Sequence, residues 1–155
     1  MHWAITGKTA AEIVAERAGS LKPNMGLTTW KNAPSGKIRK SDVTVAKNYL
    51  GENEIRELDR IVGMYLDFAD LQATRRVPMK MTDWVGRLDG FLKFNEYEIL
   101  TNAGKVSHEV AKELAEGEYD RFRLIEDRNY VSDFEKAVKG IEGIADKKSG
   151  RKRRD

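Results

Sequence analysis

The feature of the sequence that most restricts its fold is a run of apolar residues spaced alternately three and four apart between residues 53 and 76. This spacing puts the side chains on one face of an α-helix and predicts a long helix that packs against its neighbours. Pro78 is expected to end the helix, because proline disfavours a helical backbone at the residue before it. The apolar face consists of Ile55, Leu58, Val62, Tyr65 and Ala69, and it is widened by Ile61, Leu66 and Phe68, so we expect the helix to be central.

Capping residues predict where the other helices begin. Thr9 and Glu12 form a Thr-x-x-Glu box, in which both side chains bond backbone N–H groups at the helix start. Ser132 and Glu135 repeat this pattern with serine, and three further starts are predicted at Ser41 or Asp42, Thr82 and Ser107. The apolar residues expected to face inward from these helices are Ile13, Val14, Ala18, Val43, Val45, Ala46, Tyr49, Leu50, Trp84, Val85, Leu88, Phe91, Leu92, Val110, Ala111, Leu114, Phe122, Ile125, Phe134, Val138, Ile141 and Ile144.

The sequence contains no convincing strand pattern. No stretch of four to eight residues alternates apolar and polar side chains, and 155 residues suit a single domain. The sequence therefore predicts an all-α fold, a single helical bundle of five or six helices with a long central helix, in residues 1–145. Residues 146–155 contain no apolar side chain and are predicted to be a disordered basic tail. The segment 20–40, which contains proline and glycine, is either an ordered or a mobile loop.

Charge is distributed unevenly along the chain. Residues 1–48 carry a net charge of +5, residues 49–145 carry −6 and residues 146–155 carry +4, which together give the overall +3. One interpretation is a nucleic-acid contact at the basic ends. The other is that the basic N-terminal segment docks on the acidic helices of the same chain.

Several kinds of chemistry are not supported by the residues present. The chain has no cysteine, which excludes disulfides and thiolate sites. Its two histidines, His2 and His108, form no zinc or di-iron pattern, and Gly7-Lys8-Thr9 lacks the first glycine and the preceding strand of a phosphate-binding loop. No cofactor or metal site is therefore predicted. Without a signal peptide or a membrane-spanning stretch, the protein is predicted to be cytoplasmic, with no membrane partner.

The segment from residue 30 to residue 47, which we call the basic segment, is the most suggestive candidate binding site. It combines one tryptophan with five cations, a set that would serve for base stacking and phosphate contacts, or for a protein partner. Alternatively, the tryptophan fills the helical core. The candidate nucleic-acid or partner-binding residues are Trp30, Lys31, Lys37, Arg39, Lys40 and Lys47.

Polar residues near the N-terminus provide weaker catalytic candidates. A histidine paired with a carboxylate can act as an acid or a base, whereas the absence of a visible nucleophile favours a structural role. We therefore leave open whether the chain is an enzyme. The candidates are His2, Glu12, Arg17 and Asn24, with Thr6 and Thr28 as further polar neighbours.

Five runs of residues carry a family resemblance. They are residues 2–18, HWAITGKTAAEIVAERA; residues 25–30, MGLTTW; residues 42–50, DVTVAKNYL; residues 78–84, PMKMTDW; and residues 104–108, GKVSH. Together they resemble the C-terminal half of the RhuM-type virulence-associated proteins of bacteria. The resemblance implies a DNA-binding or regulatory N-terminal region that is missing here, and a mobile-element or pathogenicity-island setting. It implies no particular activity and assigns no functional residue, because the family name reflects genomic setting.

Two hypotheses for the function follow. The preferred one is a non-enzymatic helical module for regulation or assembly, which supplies self-association or partner binding to a DNA-associated or mobile-element protein. The alternative is a toxin-like enzyme with a polar site around His2 and Glu12. The enzyme requires the polar candidates to converge in space, because an active site needs its residues in one pocket.

Overall fold

A computed structural model describes residues 1–129, and all the regular structure within them is helical. Five α-helices follow one another: α1 His2–Thr6, α2 Ala10–Arg17, α3 Glu52–Thr74, α4 Met81–Phe94 and α5 His108–Asn129. A short turn, Pro23–Gly26, whose inner residues are not helical, and the 3₁₀ helix Ala46–Tyr49 lie between α2 and α3. The predicted all-α class is confirmed. The predicted helix at Ser132 and the predicted basic tail lie outside the described residues.

The chain divides into two compact units, Met1–Phe122 and Arg123–Asp155. The hydrophobic core belongs to the first unit and gathers side chains from α2, from the segment 25–50, from the first half of α3 and from α5. Its buried members are Ile13, Val14, Ala18, Met25, Leu27, Ile38, Val43, Ala46, Tyr49, Leu50, Leu58, Ala111 and Ala115. The predicted domain boundary after residue 145 stays a prediction, since it lies outside the described residues.

Helix α2 begins at the predicted capping box. The backbone N–H of Glu12 donates to Oγ1 of Thr9 at 3.2 Å, and the Glu12 carboxylate accepts the backbone N–H of Thr9 at 2.8 Å. Two N–H groups that would otherwise lack partners at the helix start are thereby bonded. No capping side chain precedes the short helix α1, which the sequence does not predict, and it ends at Gly7 with φ 65°.

A left-handed turn connects α2 to the rest of the core. Asn24, Met25 and Gly26 have φ values of 50°, 60° and 82°, a conformation that costs about 1–2 kcal/mol for a residue with a side chain. The turn buries Met25 completely, and the N–H of Gly19 donates to the carbonyl oxygen of Met25 at 3.2 Å. Burial of the Met25 side chain, worth roughly 1.5–3 kcal/mol, offsets part of the backbone strain.

The helix predicted to begin at Ser41 or Asp42 is instead a turn followed by the 3₁₀ helix Ala46–Tyr49. The Asp42 carboxylate does not cap a helix, because it accepts the backbone N–H of Arg39 at 2.8 Å and closes the preceding turn. The buried apolar residues of this segment are spaced three apart, which is the period of a 3₁₀ helix; they are Val43, Ala46 and Tyr49.

Helix α3 covers nearly the predicted range 53–76. The first half of its apolar face is buried in the core, and the second half packs against α4. In its first half, Leu58 and Ile61 are buried. In its second half, the hydroxyl of Tyr65 donates to the carbonyl oxygen of Trp84 on α4 at 2.6 Å. The rings that join α3 to α4 have centroids 5.7 to 6.2 Å apart and belong to Tyr65, Phe68, Trp84 and Phe91.

The remaining helix starts and inward faces depart from the prediction in part. Helix α4 begins one residue before the predicted cap Thr82, and the Asp83 carboxylate accepts the backbone N–H of Lys80 at 2.8 Å. Ser107 caps α5 as predicted, because its hydroxyl oxygen accepts the N–H of Val110 at 3.3 Å. Five apolar residues expected to face inward are exposed, since nothing in the described chain covers them: Val45, Leu66, Val85, Val110 and Leu114.

Candidate functional site

Glu12 joins the start of α2 to the segment before α5. Besides capping α2, its Oε1 accepts the backbone N–H of Lys105 at 2.7 Å, in the segment before α5. The backbone N–H groups of Thr9 and Lys105 lower the pKa of Glu12 below its usual range, because they stabilise the ionised carboxylate. These bonds give Glu12 a structural role.

Arg17 lies at the end of α2 and binds the start of α3. Its guanidinium forms a two-pronged ion pair with Glu54, at 2.6 Å from Nη1 to Oε2 and 2.7 Å from Nη2 to Oε1. Nη1 also donates to the carbonyl oxygen of Tyr49 at 2.8 Å. The Glu54 carboxylate in turn accepts the backbone N–H of Gly51 at 2.7 Å, and the hydrogen bond from Arg17 lowers the pKa of Glu54. Arg17 is therefore engaged in holding α2 against α3.

The other polar candidates bond nearby backbone. Asn24 is exposed, and its carbonyl oxygen accepts a backbone N–H three residues further on at 3.0 Å. The hydroxyl of Thr28 lies 2.7 Å from the carbonyl oxygen of Leu50. The hydroxyl of Thr6 donates to the carbonyl oxygen four residues earlier at 2.8 Å. The Thr6 and Thr28 contacts are bonds from a hydroxyl to a backbone carbonyl, which threonine commonly forms, whereas the Asn24 contact is made by its backbone carbonyl.

His2 lines a cavity of about 230 Å³ whose walls come from Met1 and α1, from the start of α2, from α4 and from residues 98–100. Its Nε2 atom is buried and has no hydrogen-bond partner among the described residues, and the same holds for Nε1 of Trp3. Burial lowers the pKa of the imidazole, which favours its neutral form. A neutral imidazole nitrogen in this position can either donate or accept a hydrogen bond.

His2 and Glu12 line two different cavities. The second cavity, of about 450 Å³, lies beside Glu12 and Lys8, and Trp3 contributes to both. Neither cavity is lined by Arg17, Asn24 or Trp30. The catalytic candidates therefore do not converge in either cavity, and their assignment stays a prediction.

Trp30 belongs to the fold as well as to the basic segment. Its indole N–H donates to the carbonyl oxygen of Gly36 at 2.6 Å, and its side chain packs against the core. The backbone N–H groups of Lys31 and Arg39 donate to the carboxylate of the buried Asp42, at 3.4 and 2.8 Å. These contacts support the interpretation in which the tryptophan packs into the helical core.

Two cations of the basic segment are paired with acidic residues on helices. Lys40 lies 3.3 Å from Asp120 and 3.7 Å from Glu116 on α5, and the hydrogen bond to Asp120 raises the pKa of Lys40. Lys47 lies 3.3 Å from Asp59 on α3. These pairs agree with docking of the basic N-terminal segment on the acidic helices. All five cations of the segment are exposed. The assignment of nucleic-acid or partner contacts stays a prediction for the whole set, Trp30, Lys31, Lys37, Arg39, Lys40 and Lys47.

The cavity beside His2 is a feature that sequence reasoning missed. Its walls come from α1 and the start of α2, from α4 and from residues 98–100, and these parts of the chain meet only through folding. One signal was available in the sequence: His2 and Trp3 are adjacent side chains whose ring nitrogens need partners when they are buried.

Two further properties concern the described residues alone. Within residues 1–129, no helix is long and apolar enough to cross a membrane. The same part of the chain contains no group of three or more His, Asp or Glu side chains that could hold a metal ion. The predicted cytoplasmic location stays a prediction.

A comparison with protein families matches most of the chain. The model of the virulence protein RhuM family matches residues 1–131, in agreement with the resemblance carried by the five sequence runs. The match begins at residue 1, and whether the chain corresponds to a C-terminal region of these proteins stays a prediction. The searches of curated proteins and of solved structures each returned no match.

Proposed function

The chain belongs to the virulence protein RhuM family, and we propose that it is a non-enzymatic helical module for regulation or assembly. In this proposal it associates with a second copy of itself, within a DNA-associated or mobile-element protein. Association with a different protein partner is the other form of the same hypothesis. The observation that carries the proposal is a concentration of exposed apolar side chains on α3, on α4 and on their connection.

The exposed apolar side chains concentrate between residues 64 and 94. A single apolar residue on a surface needs no explanation, whereas exposed apolar residues that share one face form a contact surface. Seven of the thirteen large apolar residues that are exposed in the described chain lie in this stretch, and we call them the hairpin apolar set: Met64, Leu66, Leu71, Val77, Met81, Val85 and Phe94.

On α4, two residues of this set continue a stripe that is buried further along the helix. Met81, Val85, Leu88 and Leu92 share one helix face, because they are separated by four, three and four positions. Leu92 is 4 % exposed, whereas Val85 is 58 % and Met81 77 % exposed. The stripe is therefore covered at one end and open at the other, which leaves apolar area for a second copy of the chain to cover.

Replacing Val85 with glutamate is expected to weaken self-association by at least about tenfold, because the contact would then bury a carboxylate without a partner. Sedimentation velocity at a series of protein concentrations measures the dissociation constant. Leu21→Glu is the matched control, since Leu21 is 89 % exposed and lies outside the hairpin apolar set. A wild-type protein that stays monomeric at every concentration, or equal effects of the two substitutions, would contradict self-association through this surface.

The DNA-associated part of the proposal depends on the exposed cations of the basic segment. Lys31 and Arg39 are exposed, and the backbone N–H groups of both donate to the carboxylate of Asp42. Phosphate contacts from such side chains need no helix in a DNA groove and carry no sequence preference. They weaken as salt increases, since each contact releases counterions from the DNA.

The double variant Lys31→Ala, Arg39→Ala is expected to bind duplex DNA less tightly, with a salt dependence (log Kd against log salt) smaller by about 1–2. Fluorescence anisotropy at several salt concentrations measures this slope. The control is Lys80→Ala, Lys93→Ala, which removes two exposed cations from the ends of α4. Equal slopes for the two double variants would show that the basic segment has no special part in DNA binding.

The toxin-like enzyme stays the alternative. The observation in its favour is the unpaired Nε2 of His2 beside a cavity. Against it, Glu12 and Arg17 are engaged in hydrogen bonds that hold the fold. An enzyme that used this cavity would need carboxylates other than Glu12.

A further inference from the structure

An exposed face in the second half of α3 presents a leucine between two opposite charges. Asp67, Leu71 and Arg75 are separated by four positions each, so they follow one another along the same side of the helix. Arg75 is the residue that ends α3, and its backbone is still right-handed, with φ −75° and ψ −4°. Leu71 is 49 % exposed, and Met64, two turns earlier on the same side, is 43 % exposed. This face therefore combines apolar surface with one negative and one positive charge.

Neither charge of this face has a partner among the described residues. The side chains of Asp67 and Arg75 form no hydrogen bond and no ion pair there, whereas Asp59 on the same helix is paired with Lys47. The residues three and four positions from Asp67 include no cation, and those three and four positions from Arg75 include no acid. The two charges cannot pair with each other within one helix, because eight residues separate them by about 12 Å along its axis. Both charges are therefore available to another chain.

The order of the charges makes this face complementary to a second copy of itself. In a contact with two-fold symmetry, if one residue meets another of the second copy, the reverse contact forms as well. With the two-fold axis at Leu71 and the helices antiparallel, Asp67 of each copy lies opposite Arg75 of the other, because each is four positions from Leu71. Parallel helices in register would instead place like charges opposite each other, and these repel. The complementarity therefore exists only in the antiparallel arrangement.

We propose that α3 pairs antiparallel with α3 of a second copy across a two-fold axis at Leu71, with an Asp67–Arg75 ion pair on each side of the axis. This inference rests on the self-association proposed above and assigns to it a helix face and a register. In this register Met64 lies opposite the connection that follows α3 in the second copy, where Val77 is exposed. Exposed ion pairs add little affinity, so the apolar side chains drive the contact and the charges select its direction.

Charge reversal tests the direction of the pairing. Asp67→Arg alone, or Arg75→Asp alone, places like charges on both sides of the axis, and we expect each to weaken self-association by at least about tenfold. The double variant Asp67→Arg, Arg75→Asp restores opposite charges and should return the dissociation constant to within about threefold of the wild type. Asp70→Arg is the matched control and should leave the dissociation constant unchanged, because Asp70 is exposed but lies about 100° around the helix from Leu71. Sedimentation velocity measures the five dissociation constants.

Cross-linking tests the position of the axis. The chain contains no cysteine, so a single introduced cysteine can form a disulfide only with the same residue of a second copy. Leu71→Cys places the two thiols opposite each other at the axis, and oxidised glutathione should join them in a covalent dimer. Leu66→Cys is the matched control, because Leu66 is 62 % exposed on the same helix but lies about 140° around it from Leu71. We expect the covalent dimer to form at least about tenfold faster with Leu71→Cys, since the contact holds its thiols together.

The outcomes separate this inference from the self-association on which it rests. A wild-type chain that stays monomeric at every concentration would overturn both. If the wild type associates but the double charge reversal binds as weakly as the single reversals, the pairing of α3 is wrong and self-association stands. The same conclusion follows if Leu66→Cys forms the covalent dimer as fast as Leu71→Cys. Restored affinity in the double variant, together with preferential cross-linking at residue 71, would support the antiparallel pairing.

Discussion

Replacing Gly26 with alanine lowers the free energy of unfolding by about 3 kcal/mol, the result expected of a methyl group at a crowded left-handed position. Gly26 has φ 82°, where a residue with a side chain is strained by about 1–2 kcal/mol. The added Cβ would also overlap the carbonyl oxygen of Arg17 at the end of α2. Because backbone is in the way, the turn must shift, and Met25, which is completely buried, must shift with it.

Gly63→Ala is the matched control and has the opposite expected sign. Gly63 lies inside α3, and an added Cβ there meets nothing within 4 Å. Alanine should therefore stabilise the protein by about 0.5–1 kcal/mol, the usual advantage of alanine over glycine in a helix. Urea denaturation followed by circular dichroism measures both changes. If Gly26→Ala cost less than about 1 kcal/mol, the close approach of the turn to α2 would be wrong.

Replacing Arg17 with methionine is expected to lower the free energy of unfolding by about 2–3 kcal/mol. The substitution keeps an apolar stem but leaves the Glu54 carboxylate and the Tyr49 carbonyl oxygen without their donor. Breaking a completely buried ion pair costs about 3–5 kcal/mol. The side chains of Arg17 and Glu54 are each 27 % exposed. Water therefore solvates the unpaired groups in part, and the expected loss is about 2–3 kcal/mol, below the cost for a completely buried pair.

Arg56→Met is the control for the loss of an ion pair as such. Arg56 pairs with Glu52 one turn away on α3, and the two side chains are 66 % and 78 % exposed. Exposed pairs of this kind contribute about 0.5 kcal/mol or less. Equal losses in the two variants would contradict the special role of Arg17 in joining α2 to α3.

The pH dependence of unfolding provides a second test of the same pair. The hydrogen bond from Arg17 lowers the pKa of Glu54 in the folded protein, so the unfolded protein binds more protons there in acid. The pair therefore stabilises the fold above the unfolded pKa of glutamate, about 4.3, and this contribution is lost as pH falls through the folded pKa. In the Arg17→Met variant, the free energy of unfolding should therefore decrease less than in the wild type as the pH falls into the acid range. If the Arg17→Met variant were as stable as the wild type at neutral pH, the ion pair would not hold the fold together. Arg17 would then remain a candidate for a functional site.

Local patterns predicted the helices well because helix formation depends on neighbours in the chain. The Thr9–Glu12 box and the Ser107 cap are visible in four consecutive residues, and both bonds form in the structure. The long helix was found to within a residue or two at each end, since its apolar spacing extends over many turns. The left-handed turn at Asn24 and Met25 was missed, because non-glycine residues rarely adopt positive φ.

Local patterns could not separate structural from catalytic polar residues. Arg17 has its partner Glu54 on a different helix, and Glu12 binds a backbone N–H at Lys105 near the other end of the described chain. A charged side chain looks the same in the sequence whether its partner is a substrate or a distant part of the fold. Only the tertiary contacts show that these two side chains hold helices together.

The sequence by itself determined the all-α class, the positions of the long helix and of two caps, and membership of the virulence protein RhuM family. These features depend on spacing and on residue type over short ranges. Tertiary structure alone decided which apolar residues are covered, which cations are paired with acidic helices, and that α1 and α4 enclose a cavity beside His2. The physical reason is that burial and ion pairing depend on segments far apart in the chain, and their meeting is a property of the whole fold.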